Sequence, residues 1–217
     1  MIGGLPALPP ESLEASLLVA MTAVAPAAIR LGCRVIRAGD EDRFLPDERR
    51  AFTTRNSLAL RASGSARHLA RGLLVELGHA SAPIGRGRTG RPIWPGGVVG
   101  SIAHDHEVAV AAVALSAAIA SLGIDVEPAE PLPDELSALV VTDRDVPGSM
   151  NDLLAGRVLF AAKEAIYKAA HPLDGVIHNH DDIIVDLTAS RAWTRTGLAG
   201  KLYWCVTPRV VVLAVVS

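Results

Sequence analysis

The sequence predicts an α+β protein made of two similar lobes. Each half of the chain shows the same order of patterns, a strand, a helix and a closing hairpin, although no stretch of sequence is repeated. The chain has 217 residues, half of them apolar and only 4% aromatic, so it can bury a substantial core of Ala, Val, Leu and Ile. We therefore expect lobes at residues 1–117 and 118–217 with a cleft between them.

The first half is expected to begin with a loose Gly/Pro-rich segment at residues 1–10. A helical pattern starts at Pro10 and places Leu13, Leu17, Leu18 and Met21 on one side. The later segments are a strand at 30–37, a mostly helical region at 46–78 that ends at a glycine, a Gly/Pro/Arg-rich loop at 79–97, and a hairpin of two apolar runs at 98–103 and 107–115.

The second half repeats this order with longer elements. A strand at 119–127 leads into a proline-rich loop, and a helix over about 152–170 is expected to stop at His171 and Pro172. A strand at 182–188 and a hairpin of 201–206 and 209–216 complete the chain.

Charge is unevenly distributed along the chain. Nine arginines and one acid between Arg49 and Arg91 give a local net charge of +8, so the remainder carries −10 within a total of −2. One region therefore suits a polyanion, and another could hold cations. Nucleic acid is disfavoured as the polyanion, because only Phe52 interrupts the basic region and no nucleic-acid-binding motif is present.

The cysteines and the apolar runs bear on the cellular setting. Cys33 and Cys205 lie far apart in sequence and form no disulfide framework, which favours a reducing cytoplasm. No apolar run reaches the roughly 20 residues of a membrane span. Glu11 and Glu14 occupy the place of a basic n-region, which argues against a secretion signal. We expect a cytoplasmic protein without a membrane partner.

The segment 123–128, Gly-Ile-Asp-Val-Glu-Pro, has the pattern of a short strand that ends at a proline. Side chains alternate across a strand, so Asp125 and Glu127 leave by one face, roughly 7 Å apart, and Val126 points into a core. Two carboxylates on one buried face repel each other unless a cation lies between them. A hard divalent metal is the usual solution, although such a pair can also be the wet face of a sheet.

The helix that follows carries a third carboxylate. On its helical wheel Glu164 and Lys168 are one turn apart on a flank of the apolar stripe, with Arg157 on the same side. Such a Glu–Lys pair is commonly an exposed surface pair. If it faces the strand, the chain has a metal site beside a lysine, an arrangement that suits phosphate transfer.

Four ordered segments between about Arg61 and the C-terminus give a resemblance to a known family. They read Gly-Arg-Pro-Ile-Trp-Pro at 90–95, Gly-Ser-Ile-Ala-His at 100–104, the strand at 123–128, and Phe-Ala-Ala-Lys-Glu-Ala-Ile-Tyr-Lys-Ala at 160–169. Together they resemble the Sfp-type 4'-phosphopantetheinyl transferases, especially the enterobactin-synthase and mycobacterial-type branch. The resemblance implies that family's fold, two similar α/β lobes related by pseudo-two-fold symmetry.

The resemblance also implies a reaction. Coenzyme A would donate phosphopantetheine to a serine of an acyl or peptidyl carrier protein, with release of 3',5'-ADP. Asp125, Glu127 and Glu164 match the Mg²⁺ ligands, with Mn²⁺ as an alternative metal. Glu164 would deprotonate the serine, directly or through a water on the metal, and Lys168 would stabilise the phosphate and the leaving group. Asp125 joins them as a catalytic residue.

The coenzyme A site implied by the resemblance is basic. Arg91 would grip the nucleotide, Arg61 and Arg67 match upstream basic positions with Arg71 as a further candidate, and His104 matches a phosphate-contacting histidine. Lys163 leaves the helix about 100° from Glu164, so we expect it on a phosphate rather than on the metal. Ala103 stands where the family commonly has Ser or Thr, and Ser101 could make the missing hydrogen bond. Tyr167 is expected to pack.

Two other functions remain open from the sequence. The chain could be a coenzyme A or nucleotide-binding module without catalysis, or another metal-dependent phosphotransferase or hydrolase. A histidine pair, His178 and His180, could bind a transition metal but has no identifiable further ligand and is expected to be a polar loop. The carrier, whether of fatty-acid, polyketide, siderophore or non-ribosomal peptide biosynthesis, is not identified. A monomer is expected, because the internal duplication already supplies an interface.

Overall fold

A computed structural model describes residues 9–149 and 152–216. The expectation of a loose start therefore falls largely outside the described residues. The helices are α1 (Pro10–Val24), α2 (Pro46–Arg50), α3 (Ser57–Glu76), α4 (Asp134–Val140) and α5 (Asp152–Asp174). The strands are β1 (Arg30–Val35), β2 (Gly85–Arg86), β3 (Pro92–Ile93), β4 (Val98–His104), β5 (Val108–Leu115), β6 (Ser121–Pro128), β7 (Ile183–Asp186), β8 (Arg191–Thr194), β9 (Ala199–Cys205) and β10 (Arg209–Val216).

Two antiparallel sheets share one topology. The first has the strand order β1-β5-β4 and the second β6-β10-β9-β8-β7. In both, the opening strand pairs with the second strand of the closing hairpin, as Cys33 does with Val110 and Val212 with Asp125. This arrangement confirms the predicted α+β class with a repeated strand, helix and hairpin. The lobe boundary at 117/118 stays a prediction.

Strand β6 joins the two sheets through its two faces. Its apolar residues Leu122, Ile124 and Val126 belong to a buried cluster with α1 and β5, as the alternation predicted for Val126. The opposite face packs on α5, where Ser121 Oγ donates to the Ala169 carbonyl at 2.7 Å and Gly123 lies against the helix backbone. The strand is therefore buried on both sides, and polar groups on its second face need partners from the helix.

Helix α3 supports the first sheet. Asn56 caps it by accepting hydrogen bonds from the backbone nitrogens of Leu58 and Ala59, at 3.0 and 3.2 Å. The helix ends at Glu76, two residues before the predicted glycine stop, Gly78, which has a φ of 82°.

Several details differ from the prediction. Helix α5 continues past Pro172 to Asp174, so the proline lies in the last turn and the helix ends two residues after it. The loop at 79–97 contains the small hairpin β2–β3, and neither α4 nor β8 was predicted. Leu18 is 39% exposed, on the flank of α1 rather than on its buried face.

Within the described residues, no helix is both long and apolar enough to cross a membrane.

Candidate active site

Helix α5 approaches strand β6 closely because residue 123 is a glycine. A Cβ there would lie 2.0 Å from the carbonyl oxygen of Ala165 and 2.7 Å from the nitrogen of Ala169, both backbone atoms. Any larger side chain would therefore push the helix away. Asp125 and Glu127 follow on the same strand face and so meet the helix.

Asp125 is paired with Lys168. The Lys168 Nζ lies 2.6 Å from Asp125 Oδ1 and donates to the Ile124 carbonyl at 3.3 Å. The carboxylate is nearly buried, and its second oxygen, Oδ2, has no hydrogen-bond partner. Burial raises the pKa of Asp125, the negative charge of Glu164 adds to this rise, and Lys168 offsets part of it. The strand thus presents a poorly compensated carboxylate.

Glu127 is held by Arg157. The arginine Nη1 donates to Glu127 Oε2 at 2.8 Å, while Nε and Nη2 donate to the carbonyls of Glu130 and Pro131 at 3.1 and 2.9 Å. Burial raises the pKa of Glu127, the charge of Asp125 raises it further, and Arg157 opposes the rise. The sequence placed Arg157 on the correct flank of the helix but assigned it no role.

Glu164 bonds to His180. Its Oε1 lies 3.2 Å from His180 Nε2, and about a third of each side chain is exposed. Glu164 lies one helical turn before Lys168, which in turn bonds to Asp125. Each of the three predicted acids thus bonds to a nitrogen partner of its own.

The donor set suits a hard divalent cation. The three acids offer only oxygen, and Asp125 Oδ2 is a buried oxygen without a hydrogen-bond partner. However, no group of three His, Cys, Asp or Glu side chains among residues 9–149 and 152–216 is arranged as a metal cluster. The chemistry of the residues fits Mg²⁺, and their assembly around it stays a prediction.

A cleft of about 650 Å³ is lined by Lys168, whereas none of the three acids is among its lining residues. Its lining residues come from both lobes. Those with polar or charged groups include Arg67, Arg86, Arg91, Ser101 and His104 from the first half and Ser121, Tyr167, Lys168 and His171 from the second. Lys168 thus reaches both Asp125 and the cleft, which joins the acidic site to a basic cavity.

The hairpin β2–β3 carries the exposed cleft arginines, Arg86 and Arg91. It turns at Gly90, which has a φ of 90°. Buried Glu48 fixes the hairpin's start by accepting from the nitrogen of Ile84 at 2.9 Å and from Arg71 Nη1 at 2.5 Å. Arg71 is therefore a structural residue, whereas Arg86 is a site residue that the arginine-rich segment could have indicated.

The end of β4 places His104 at the cleft. Desolvation by the surrounding protein lowers the pKa of His104, and the positive charge of Lys168 lowers it further. The turn that follows is tied to β10, because Arg209 forms ion pairs with Asp105 and Glu107. His104 is thus fixed relative to the second sheet. Ser101, the suggested replacement for a hydroxyl at Ala103, also lines the cleft.

Three predicted coenzyme A contacts are not available as expected. Arg61 forms a two-fold ion pair with Glu41, at 2.9 and 3.0 Å, which lowers the pKa of Glu41 to about 2, and it is absent from the cleft lining. Arg67 lines the cleft but is buried. Its Nε donates to the Ile84 carbonyl at 3.2 Å, its guanidinium lies 4.6 Å from the Phe52 ring centre, and burial lowers its pKa to about 10.

Lys163 departs most clearly from its predicted role. Its side chain is fully buried, 2.7 Å from Asp145 Oδ2, and it donates to the carbonyls of Val140 and His180 at 2.8 and 3.1 Å. The expected phosphate contact is therefore wrong, because no part of the ammonium reaches the cleft. Tyr167 packs against the core as expected but also lines the cleft.

The histidine pair of the sequence is divided between two sites. His178 Nε2 lies 2.9 Å from Asp174 Oδ2, whereas His180 contacts Glu164. A shared transition metal is therefore not supported. His171, which the sequence assigned only to the helix end, lines the cleft and lies edge-on to Tyr167 with ring centres 5.6 Å apart.

Comparison with known proteins gives two family matches. Residues 50–114 match the 4'-phosphopantetheinyl transferase N-terminal domain, and residues 121–216 match the 4'-phosphopantetheinyl transferase superfamily. The two matches lie on either side of the predicted lobe boundary and include the three acids, Lys168 and the arginines that line the cleft.

Three curated relatives are 4'-phosphopantetheinyl transferases. The chain is 43% identical over 119 residues to Svp of Streptomyces mobaraensis, covering 52% of this chain and 48% of the relative. It is 45% identical over 111 residues to Npt of Nocardia iowensis, covering half of each. It is 40% identical over 133 residues to PptT of Mycobacterium tuberculosis (strain ATCC 25618 / H37Rv), covering 59% of each. The matches thus span about half the length of these relatives. With the two family matches and the site above, they show that this chain belongs to the 4'-phosphopantetheinyl transferase superfamily.

Proposed function

We propose that the chain transfers 4'-phosphopantetheine from coenzyme A to a serine hydroxyl of an apo acyl or peptidyl carrier protein and releases 3',5'-ADP. The observation that carries this proposal is the position of Lys168, which bonds to Asp125 and also lines the basic cleft. One ammonium group can therefore contact a bound phosphate while it remains beside the acidic site.

Coenzyme A would bind through charge. It carries a 3'-phosphate and a pyrophosphate, and the exposed guanidinium groups of Arg86 and Arg91 match such groups by bidentate hydrogen bonding. His104 and Lys168 would contact phosphate from the other side of the cleft. We propose these four residues as the phosphate contacts without assigning each one to a particular phosphate.

Asp125 and Glu164, with Glu127 as the third ligand, would hold Mg²⁺, or Mn²⁺ in its place. When bound, the metal would neutralise negative charge on the pyrophosphate. Arg157 would have to share Glu127 with the metal, since it already bonds to one of its oxygens.

The reaction needs a proton acceptor and a stabilised leaving group. The serine oxygen would form a bond to the phosphorus that carries the pantetheine, and the bond from that phosphorus to the bridging oxygen would break. Glu164 would accept the serine proton, because it is the most exposed of the three acids, at 32% against 20% for Glu127, and lies one turn from Lys168. Lys168 would stabilise the negative charge that develops on the departing 3',5'-ADP.

The remaining expectations belong to the same proposal. Residues 1–117 would supply the nucleotide-binding lobe, and residues 118–217 the metal ligands and catalytic helix. We propose a cytoplasmic monomer that acts on carrier proteins of fatty-acid, polyketide, siderophore or peptide biosynthesis, with neither nucleic acid nor membrane as a partner.

The test is incubation with coenzyme A, Mg²⁺ and a panel of apo-carriers, followed by intact-mass measurement. One added phosphopantetheine per carrier is expected, and a carrier in which the acceptor serine is replaced by alanine should gain no mass. Coenzyme A binding without any modification would favour the non-catalytic module. Hydrolysis of coenzyme A without a carrier would favour a hydrolase.

A further inference from the structure

We propose that His180 is a positioning residue that orients the Glu164 carboxylate for metal binding and proton transfer. This inference rests on the proposed function. The contact that carries it is the 3.2 Å distance between His180 Nε2 and Glu164 Oε1. An ionised carboxylate can only accept, so Nε2 must donate its hydrogen to Glu164.

The histidine is itself held from two sides by adjacent residues of α5. Glu164 accepts a hydrogen bond from the imidazole ring of His180, and Lys163 donates to the backbone carbonyl of His180 at 3.1 Å. Lys163 cannot shift easily, because its buried ammonium lies 2.7 Å from Asp145. Two successive helix residues thus fix both ends of His180.

Asp145 connects this arrangement to the second sheet. Its Oδ1 accepts from the nitrogen of Val185 at 2.9 Å, and its Oδ2 accepts from the nitrogen and the hydroxyl of Thr142 at 2.8 and 2.9 Å. Every link from β7 to Glu164 is therefore a hydrogen bond or an ion pair. The buried Lys163, which offers nothing to a phosphate, has its role here.

The turn that carries His180 is ordered by further contacts. Asp182 Oδ2 accepts from the nitrogen of Asn179 at 2.9 Å, and the Asp182 carbonyl accepts from the nitrogen of Arg195 at 2.8 Å. The imidazole also packs against Phe160, with ring centres 5.7 Å apart. The His180 ring is therefore held between Phe160 and Glu164.

The consequence for Glu164 is a restricted carboxylate. A glutamate on a helix flank samples several rotamers, but a bond from His180 to Oε1 leaves Oε2 as the oxygen that faces the reaction. Partners of this kind, which hold a metal ligand without touching the metal, typically contribute 10- to 100-fold to affinity or activity.

Two substitutions separate the hydrogen bond from ring packing. His180→Phe keeps an aromatic ring beside Phe160 but removes the donor, whereas His180→Gln keeps a donor and removes the ring. His68→Phe is the matched control, because His68 is exposed on α3 and contacts Arg43 outside the cleft. Thermal melting of each variant checks that the fold is retained.

Two readouts are measured in each variant. The first is kcat and KM for carrier modification. The second is Mn²⁺ affinity in the presence of coenzyme A, followed by the electron paramagnetic resonance signal of unbound Mn²⁺. We expect His180→Phe to lower both kcat and Mn²⁺ affinity by about 10- to 100-fold with an unchanged KM for coenzyme A. His180→Gln should recover most of both, and His68→Phe should match the wild type.

Each other outcome has a defined meaning. His180→Phe with wild-type kcat and Mn²⁺ affinity would overturn the inference, and an impaired His180→Gln beside it would leave ring packing as the only role. His180→Gln as impaired as His180→Phe would also overturn it, because a retained donor would then restore nothing. If the wild type modifies no carrier but the Mn²⁺ affinities follow the expected order, the proposed function fails while the positioning of Glu164 by His180 stands.

Discussion

Replacement of Lys163 by methionine should destabilise the fold without weakening coenzyme A binding. The Lys163 and Asp145 side chains are both fully buried and lie 2.7 Å apart. Removal of the lysine leaves a buried carboxylate without its counter-charge, and the carbonyls of Val140 and His180 lose a donor. Breaking a buried pair in this way costs about 3–5 kcal/mol.

That loss corresponds to a large change in melting temperature. For a chain of this size each kcal/mol lowers the Tm by about 2–4 °C, so a decrease of about 6–20 °C is expected. Urea denaturation gives the free energy of unfolding, and calorimetric titration gives the affinity for coenzyme A. Lys201→Met is the matched control, since Lys201 is exposed and lies 5.1 Å from the Tyr203 ring centre; it should cost less than about 1 kcal/mol.

A double-variant cycle isolates the pair itself. Asp145→Asn in the Lys163→Met background removes the uncompensated charge, so the double variant should be more stable than Lys163→Met alone. A loss below about 1 kcal/mol for Lys163→Met, together with weakened coenzyme A binding, would refute the structural role and restore the phosphate contact.

Three further predictions follow from the cleft and its charges. Arg86→Ala and Arg91→Ala should each weaken coenzyme A binding by about tenfold in calorimetry, whereas Arg61→Ala, outside the cleft lining, should not; equal losses in all three would contradict the placement. Because burial raises the pKa of Asp125 in the folded protein, its ionisation destabilises the metal-free fold. Asp125→Asn should therefore gain stability over the wild type as pH rises above about 4, and a pH-independent difference in urea midpoints would refute this. Burial lowers the pKa of His104, and a bound phosphate favours its charged form. As pH falls below the ordinary histidine pKa of about 6.5, coenzyme A affinity should rise in the wild type relative to His104→Ala, and parallel pH profiles would argue against the contact.

The central geometry could be predicted from sequence because it depends on local periodicity. The two-residue repeat of a strand places Asp125 and Glu127 on one face, and the helical repeat places Glu164 one turn from Lys168. Gly123 adds the close approach of helix and strand, which the pattern of residues alone does not reveal.

Which basic groups are available could not be predicted, because their partners come from distant parts of the chain. The helical wheel gives the direction of Lys163 correctly, but Asp145 and the turn at His180 cover that face. Arg61 likewise contacts Glu41, and Arg67 contacts the Ile84 carbonyl. The number of arginines in the segment therefore predicts a basic region, but it does not predict which of the arginines are exposed. Tertiary contacts of this kind carry no local sequence signal.

Single-turnover transfer tests the proposed roles of Glu164 and Lys168 most directly. The wild type, Glu164→Gln and Lys168→Met are each saturated with labelled coenzyme A and Mg²⁺ and mixed with an apo-carrier, and label on the carrier is measured over time. We expect rapid transfer by the wild type and transfer slower by about 100-fold or more in Glu164→Gln, which should still bind coenzyme A. Lys168→Met should also be slow. Wild-type rates in both variants, or no transfer by the wild type to any carrier, would contradict these roles.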